Sequence, residues 1–159
     1  MFNIIIYIYC DDKSEKIIRN FLSRFNANSG VLLQSEVLVH RNKKDLYQNS
    51  LHNEWIEIKD TDSWIKLGLS EQSLAFSIYY SLPNQPINGL IISFTMDGGI
   101  VFGIEIENTE TNLGYSKKLL DTLKGEYSVI LGALFIEETP FLSKDLFIQA
   151  LNERAIYSI

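Results

Sequence analysis

The sequence contains few cysteines and histidines, the residues that form disulfides and many metal sites. Its 159 residues include one cysteine, Cys10, so no disulfide can form within the chain. This favours a reducing compartment, and we expect a cytoplasmic protein in which Cys10 is a buried, inert thiol. The two histidines, His40 and His52, flank a polar loop without the spacing or the further ligands of a metal site. We therefore expect neither a metal nor a cofactor.

Basic residues and long apolar runs are also scarce. Fourteen basic residues stand against twenty acidic ones, which gives a formal net charge of −6. This balance disfavours binding to nucleic acid or to an anionic membrane and permits a basic protein partner. The apolar run over residues 4–9 is too short to span a membrane. No basic residue precedes that run, so a signal peptide is not expected either.

Alternating apolar residues on both sides of one glycine-rich turn predict a β-hairpin. The even-numbered positions of 90–96 and of 100–106 are all apolar, which is typical of strands with one buried face. A three-residue loop, Asp97-Gly98-Gly99, would pair Phe94 with Phe102 and place a glycine where φ must be positive. We predict this loop and this register.

The remaining patterns predict a small α+β fold. Residues 3–10 are apolar on both faces, as expected of a central strand covered on both sides. Three amphipathic stretches predict helices, and the units 3–40 and 99–136 each have the pattern of a strand–helix–strand crossover. We predict a single domain spanning 1–159, with one mixed, mainly antiparallel sheet of about six to seven strands and three helices.

Carboxylates are the only clustered reactive groups in the sequence. Glu105 and Glu107 share one face of the second hairpin strand, and Glu137 and Glu138 follow the last long strand. If these two strands are neighbours, the four side chains converge at one edge of the sheet. Paired carboxylates can perform acid–base chemistry or bind a hard cation, but glutamates on a solvated face have the same spacing. We therefore assign no catalytic residue and treat the four glutamates as candidates for partner binding.

Aromatic side chains supply a second kind of candidate. Tyr79 alternates against the apolar face of its strand, and Tyr47 lies in the polar loop between the two histidines. Exposed tyrosine and tryptophan side chains often anchor protein interfaces, whereas most aromatic residues pack in the core. Tyr79 and Tyr47 complete the set of predicted partner-binding residues.

Four sequence features follow one another between residues 88 and 140. They are the hairpin MDGGIVFGIEIE, the leucine-bearing helix LGYSKKLLDTL, the doubly apolar strand YSVILGALFI and the exit Glu137-Glu138-Thr139-Pro140. In this order the region resembles small bacterial immunity proteins of polymorphic or contact-dependent toxin systems. The resemblance implies a cytoplasmic, non-enzymatic chain that binds and neutralises a toxin domain. It assigns a role to no individual residue.

The leading hypothesis is a non-catalytic protein-binding domain whose partner is a basic toxin domain. Its acidic side chains would face a basic surface and occlude it. One alternative is a small-ligand-binding protein or hydrolase-type enzyme that uses the clustered carboxylates, which would require a deep pocket lined by convergent glutamates. A homo-oligomeric structural subunit is a third reading of the same composition.

Overall fold

A computed structural model of the chain describes residues 2–42 and 53–159. In these ranges it contains nine strands, four α-helices and one short 3-10 helix at Ala27–Ser29. The strands are β1 (Asn3–Cys10), β2 (Val31–Leu32), β3 (Glu36–Val39), β4 (Glu54–Glu57), β5 (Phe76–Ser81), β6 (Ile87–Phe94), β7 (Ile100–Glu107), β8 (Val129–Ile136) and β9 (Tyr157–Ser158). The α-helices are α1 (Glu15–Arg24), α2 (Thr61–Ser70), α3 (Glu110–Glu126) and α4 (Lys144–Arg154).

Seven of the strands form one antiparallel sheet in the order β2-β5-β6-β7-β1-β8-β9, and β3 pairs with β4 in a separate ribbon. The predicted α+β class is confirmed, with four described helices where three were expected. The strand β1 lies between β7 and β8 and is buried from Ile4 to Cys10, as its two-faced apolar pattern predicts. Because β1 pairs antiparallel with both neighbours, β7 and β8 run parallel on either side of it. The helix α3 therefore crosses over one intervening strand.

Hydrophobic side chains cover both faces of the sheet. One face packs against α1, α2 and α3 through residues such as Phe21, Trp64 and Leu120. The opposite face packs against α4 and the segment before it through Phe141 and Phe147. Burial on two sides explains why β1 lacks the polar alternation of a half-exposed strand.

Each α-helix begins at a short polar side chain that accepts a backbone N–H of the first turn. These caps are Ser14, Asp60, Thr109 and Ser143. They satisfy donors that the helix itself leaves unpaired, which typically stabilises a helix by about 1 kcal/mol. The helices thus begin where the sequence supplies a serine, threonine or aspartate.

The predicted register of the β6–β7 hairpin is wrong by two residues. Phe94 lies opposite Ile100, and Phe102 lies opposite Ile92. A shift of two residues keeps every side chain on its own face of the sheet, so both registers bury the same apolar set. The alternation of apolar side chains therefore does not by itself determine which residues of β6 and β7 pair.

The turn chemistry explains the observed register. The loop has three residues, as predicted, but they are Met96-Asp97-Gly98, and Gly98 takes the positive φ of 82°. Thr95 brackets this turn: its N–H donates to the Gly99 carbonyl at 3.1 Å, and its hydroxyl accepts the Gly99 N–H at 3.0 Å. Since Gly99 pairs with Thr95, it cannot belong to the loop.

The side chain of Gln34 extends the β5 edge beyond the end of β2. Its amide nitrogen donates to the Ser77 carbonyl at 3.0 Å, and its amide oxygen accepts the Tyr79 N–H at 2.9 Å. These bonds replace the backbone partners that a longer β2 would supply. They also hold the strand that carries Tyr79.

Candidate functional site

The end of the sheet where β1 begins brings three glutamates together around Asn3. Asn3 pairs with Glu107 on β7, and its carbonyl accepts the Glu137 N–H at 3.1 Å. The Asn3 N–H in turn donates to the Glu137 carboxylate. Glu105 lies two residues before Glu107 on the same face of β7. We call Asn3, Glu105, Glu107 and Glu137 the acidic end.

This convergence was predicted on the condition that β7 and β8 are neighbours. In the structure β1 separates them, and the glutamates still meet because β7 and β8 both end beside the start of β1. Glu137 follows β8 with a φ of 49°, in the left-handed region. This left-handed residue turns the chain at the end of β8, and the Glu137 carboxylate accepts the Asn3 N–H.

Glu105 is half-buried because β6 leaves room for its carboxyl group. It lies opposite Gly89 on β6, where a Cβ atom would be 2.9 Å from Glu105 Oε2. Burial raises the pKa of the Glu105 carboxyl, and the nearby charge of Glu137 raises it further. Glu105 therefore retains its proton to a higher pH than an ordinary glutamate.

Two tyrosines lie beside Glu105 on this face of the sheet. Tyr7 packs over Gly103 and donates its hydroxyl to the Glu138 carbonyl at 2.8 Å. Burial raises the pKa of Tyr7, and it also raises the pKa of the half-buried Tyr79. The negative charge of Glu105 raises both values further. Both phenols are therefore protonated at neutral pH and suit hydrogen bonding rather than service as a base.

Glu138 differs from the other three predicted glutamates because an arginine of the chain binds it. Both guanidinium contacts are short, with Arg154 Nε 2.8 Å and Arg154 Nη2 3.0 Å from the two carboxylate oxygens. The Glu138 side chain is 15% exposed. This pair ties the end of α4 to the segment that follows β8, so the Glu138 charge is already balanced within the chain.

The remaining candidate groups show no second reactive cluster in the part of the chain that is described. In residues 2–42 and 53–159, no group of three or more histidine, cysteine or acidic side chains could hold a metal ion. A cleft of about 240 Å³ beside Pro83 and one of about 340 Å³ beside Asn20 are lined by other residues than the acidic end. Cys10 is buried, and burial raises the pKa of its thiol to about 12.

Two predicted positions, Tyr47 and His52, lie outside the described residues. Conversely, the sequence did not single out Asn3 and Gly89, which shape the acidic end, or Arg154, which binds Glu138. A polar residue at the start of a doubly apolar strand marks Asn3 in retrospect. Gly89 and Arg154 act through contacts between distant segments, for which the sequence carries no local signal.

No protein-family model, no curated protein and no solved structure matches the chain. Among the described helices, none combines the length and apolar character needed to cross a membrane.

Proposed function

We propose that this chain is a non-catalytic, cytoplasmic domain that binds another protein, and that its partner is a basic toxin domain which it neutralises. The observation that carries the proposal is the unbalanced charge of the acidic end. Glu105, Glu107 and Glu137 form no ion pair with any described residue. Elsewhere the chain does pair its carboxylates, as in Arg24–Glu126 and Arg154–Glu138.

The electrostatics of Glu105 favour a cationic partner. Its raised pKa reflects burial and repulsion by Glu137, both of which disfavour the ionised carboxylate. A lysine or arginine placed between the two side chains would stabilise the ionised form. Binding should therefore release a proton from Glu105 when the pH lies between its ordinary pKa and its raised pKa.

The acidic end is also held by regular backbone structure. Glu105 and Glu107 belong to β7, and Asn3 of the buried strand β1 fixes Glu137 through its backbone. A surface that is ordered before binding loses less conformational entropy when a partner docks. Such a surface supports inhibition by occlusion, in which the glutamates cover a basic substrate-binding surface of the toxin.

Calorimetric titration with a candidate basic toxin domain, sought among the genes adjacent to this one, tests the proposal. We expect the Glu105→Gln/Glu107→Gln variant to bind at least about tenfold more weakly, because loss of close charge pairs at an interface costs more than about 1.4 kcal/mol. The matched control is Asp11→Asn/Asp12→Asn, which removes the same charge after the other end of β1. We expect this control to bind as the wild type does and to protect cells that express the toxin.

Two outcomes contradict the proposal. Equal weakening by both double variants would indicate attraction to the overall negative charge rather than to the acidic end. Absence of binding, together with no protection of cells from the toxin, would exclude this neutralising role.

The raised pKa of Glu105 is also the observation that favours a hydrolase-type enzyme. A half-buried carboxyl that retains its proton can serve as a general acid, with Glu137 as the nearby base. Hydrolysis of a chromogenic ester, phosphoester or glycoside that Glu105→Gln abolishes would support this alternative. Wild-type rates equal to those of Glu105→Gln on all three substrates would exclude it for these classes.

A further inference from the structure

The two-stranded ribbon of β3 and β4 presents one outer face to solvent. Glu36 lies directly opposite Glu57, and Leu38 lies directly opposite Trp55, so all four side chains share this face. Three of them are exposed, and Leu38 is half-buried. We call these four residues the tryptophan face.

Trp55 is the unusual member of this face. It is 61% exposed, whereas Trp64, the other tryptophan of the chain, is fully buried and donates its indole N–H to Tyr80 at 2.9 Å. Exposed tryptophan side chains are uncommon in stable folds and are enriched among the residues that dominate binding energies at protein interfaces.

The charges around Trp55 are unbalanced. Glu36 and Glu57 are directly opposite each other, an arrangement that disfavours two like charges. Neither forms an ion pair within the described part of the chain. The nearby Arg41 contacts other carboxylates, with its guanidinium 2.9 Å from Glu54 and 3.5 Å from Glu71.

We infer that the tryptophan face docks a segment of a partner protein that places an arginine over Trp55. A guanidinium group can stack on the indole ring while its N–H groups bind carboxylates at the rim. It would also relieve the repulsion between Glu36 and Glu57. One arginine thus satisfies both unusual features of this face.

The same charges disfavour the other macromolecules that could cover an exposed tryptophan. Nucleic acid would bring phosphates against Glu36 and Glu57. A second copy of the chain, docked by two-fold symmetry, would set the tryptophan face against itself, and none of the four residues of this face carries a positive charge. Neither arrangement balances the charge.

This surface is separate from the acidic end. The ribbon joins the fold beside β5, where His40 forms a backbone bridge with Ala75, whereas the acidic end is built on β1, β7 and the exit of β8. The inference therefore stands whether or not the acidic end binds a toxin.

A short, end-blocked peptide of alternating arginine and valine is a direct probe for calorimetric titration. We expect Trp55→Ala to weaken its binding at least about fivefold, equivalent to about 1 kcal/mol at 1.4 kcal/mol per tenfold. Trp55→Phe should retain part of the affinity because it keeps an aromatic ring. A peptide with lysine in place of arginine should bind more weakly because an ammonium group does not stack on the indole in the same way.

Matched variants separate this surface from general charge attraction. Glu36→Gln/Glu57→Gln should weaken binding of the arginine peptide, whereas Asp11→Asn/Asp12→Asn, which removes the same charge after the end of β1 and outside both proposed surfaces, should not. Ile130→Ser, at an apolar position that is 48% exposed on β8, should also leave binding unchanged.

The inference is overturned if the arginine peptide does not bind, if Trp55→Ala binds it like the wild type, or if both double variants lose affinity equally. Sedimentation velocity adds an independent check. A dimer of the free protein that Trp55→Ala dissociates would assign the tryptophan face to self-association and overturn the arginine-bearing partner.

Discussion

Replacing Gly103 by alanine should destabilise the protein, although alanine normally stabilises a strand relative to glycine. The alanine Cβ would lie 2.6 Å from Tyr7 Cε1 and 3.0 Å from the Cβ of Ile91. Tyr7 cannot move away easily, because its ring contacts Phe141 at a centroid distance of 5.2 Å and its hydroxyl is bonded to Glu138. The new methyl group is therefore forced into a filled space.

The magnitude follows from two opposing effects. Overpacking of a core costs about 1–3 kcal/mol, while removal of a glycine from a strand returns about 0.5–1 kcal/mol. The two ranges leave a net loss of roughly 0–2.5 kcal/mol in the free energy of unfolding for Gly103→Ala, with a midpoint of about 1 kcal/mol. Urea denaturation followed by far-UV circular dichroism measures this change, provided that the m-value is unaltered.

Gly89→Ala is the matched control on the neighbouring strand. The closest atom to its new Cβ is Glu105 Oε2 at 2.9 Å, the mobile end of a half-exposed side chain, although the Tyr80 carbonyl lies 3.3 Å away. The carboxyl can rotate, so we expect stability between unchanged and about 1 kcal/mol higher. If Gly103→Ala proves as stable as Gly89→Ala, Tyr7 is not packed on Gly103 as described.

Three further predictions concern single groups. Because the folded-state pKa of Glu105 is raised, its contribution to stability is present below the ordinary glutamate pKa and is lost as the pH rises through the raised value. Glu105→Gln should therefore be more stable than the wild type at pH 7, and the two proteins should become equally stable in acid. Denaturation at both pH values measures this, and a stability difference that is the same at both would argue against a raised pKa. At Glu137, where φ is 49°, glycine should be more stable than alanine by about 1 kcal/mol, and thermal melts that rank alanine first would contradict the left-handed backbone. Native Cys10, whose thiol is buried with a pKa of about 12, should resist alkylation until urea unfolds the chain, and rapid labelling of the folded protein would refute its burial.

The pattern of apolar side chains was sufficient to predict the central strand of the fold. The doubly apolar pattern of residues 3–10 predicts a central strand, and β1 occupies that place. The pairing of β6 with β7 was harder, because registers that differ by two residues bury the same faces. The observed register is fixed by contacts of the turn itself: the Thr95 hydroxyl accepts the Gly99 N–H, and the Met96 N–H donates to the distant Leu142 carbonyl.

The meeting of the glutamates at the acidic end could be predicted only in part, because it depends on the order of the strands. Strand order decides which glutamates meet, and the sequence supplied the strand ends but not the insertion of β1 between β7 and β8. The pairing of Glu138 with Arg154 depends on how α4 docks, which no local pattern records. Likewise, the short segment around Trp55 and Ile56 alternates too briefly to show which side chain faces the core.

Hydrogen exchange on a complex of this chain with the proposed basic protein partner tests the central claim most directly. The account predicts that binding slows exchange at the start of β1, the end of β7 and the exit of β8, around Asn3, Glu107 and Glu137. A stable complex in which these three segments exchange as fast as in the free protein would contradict it.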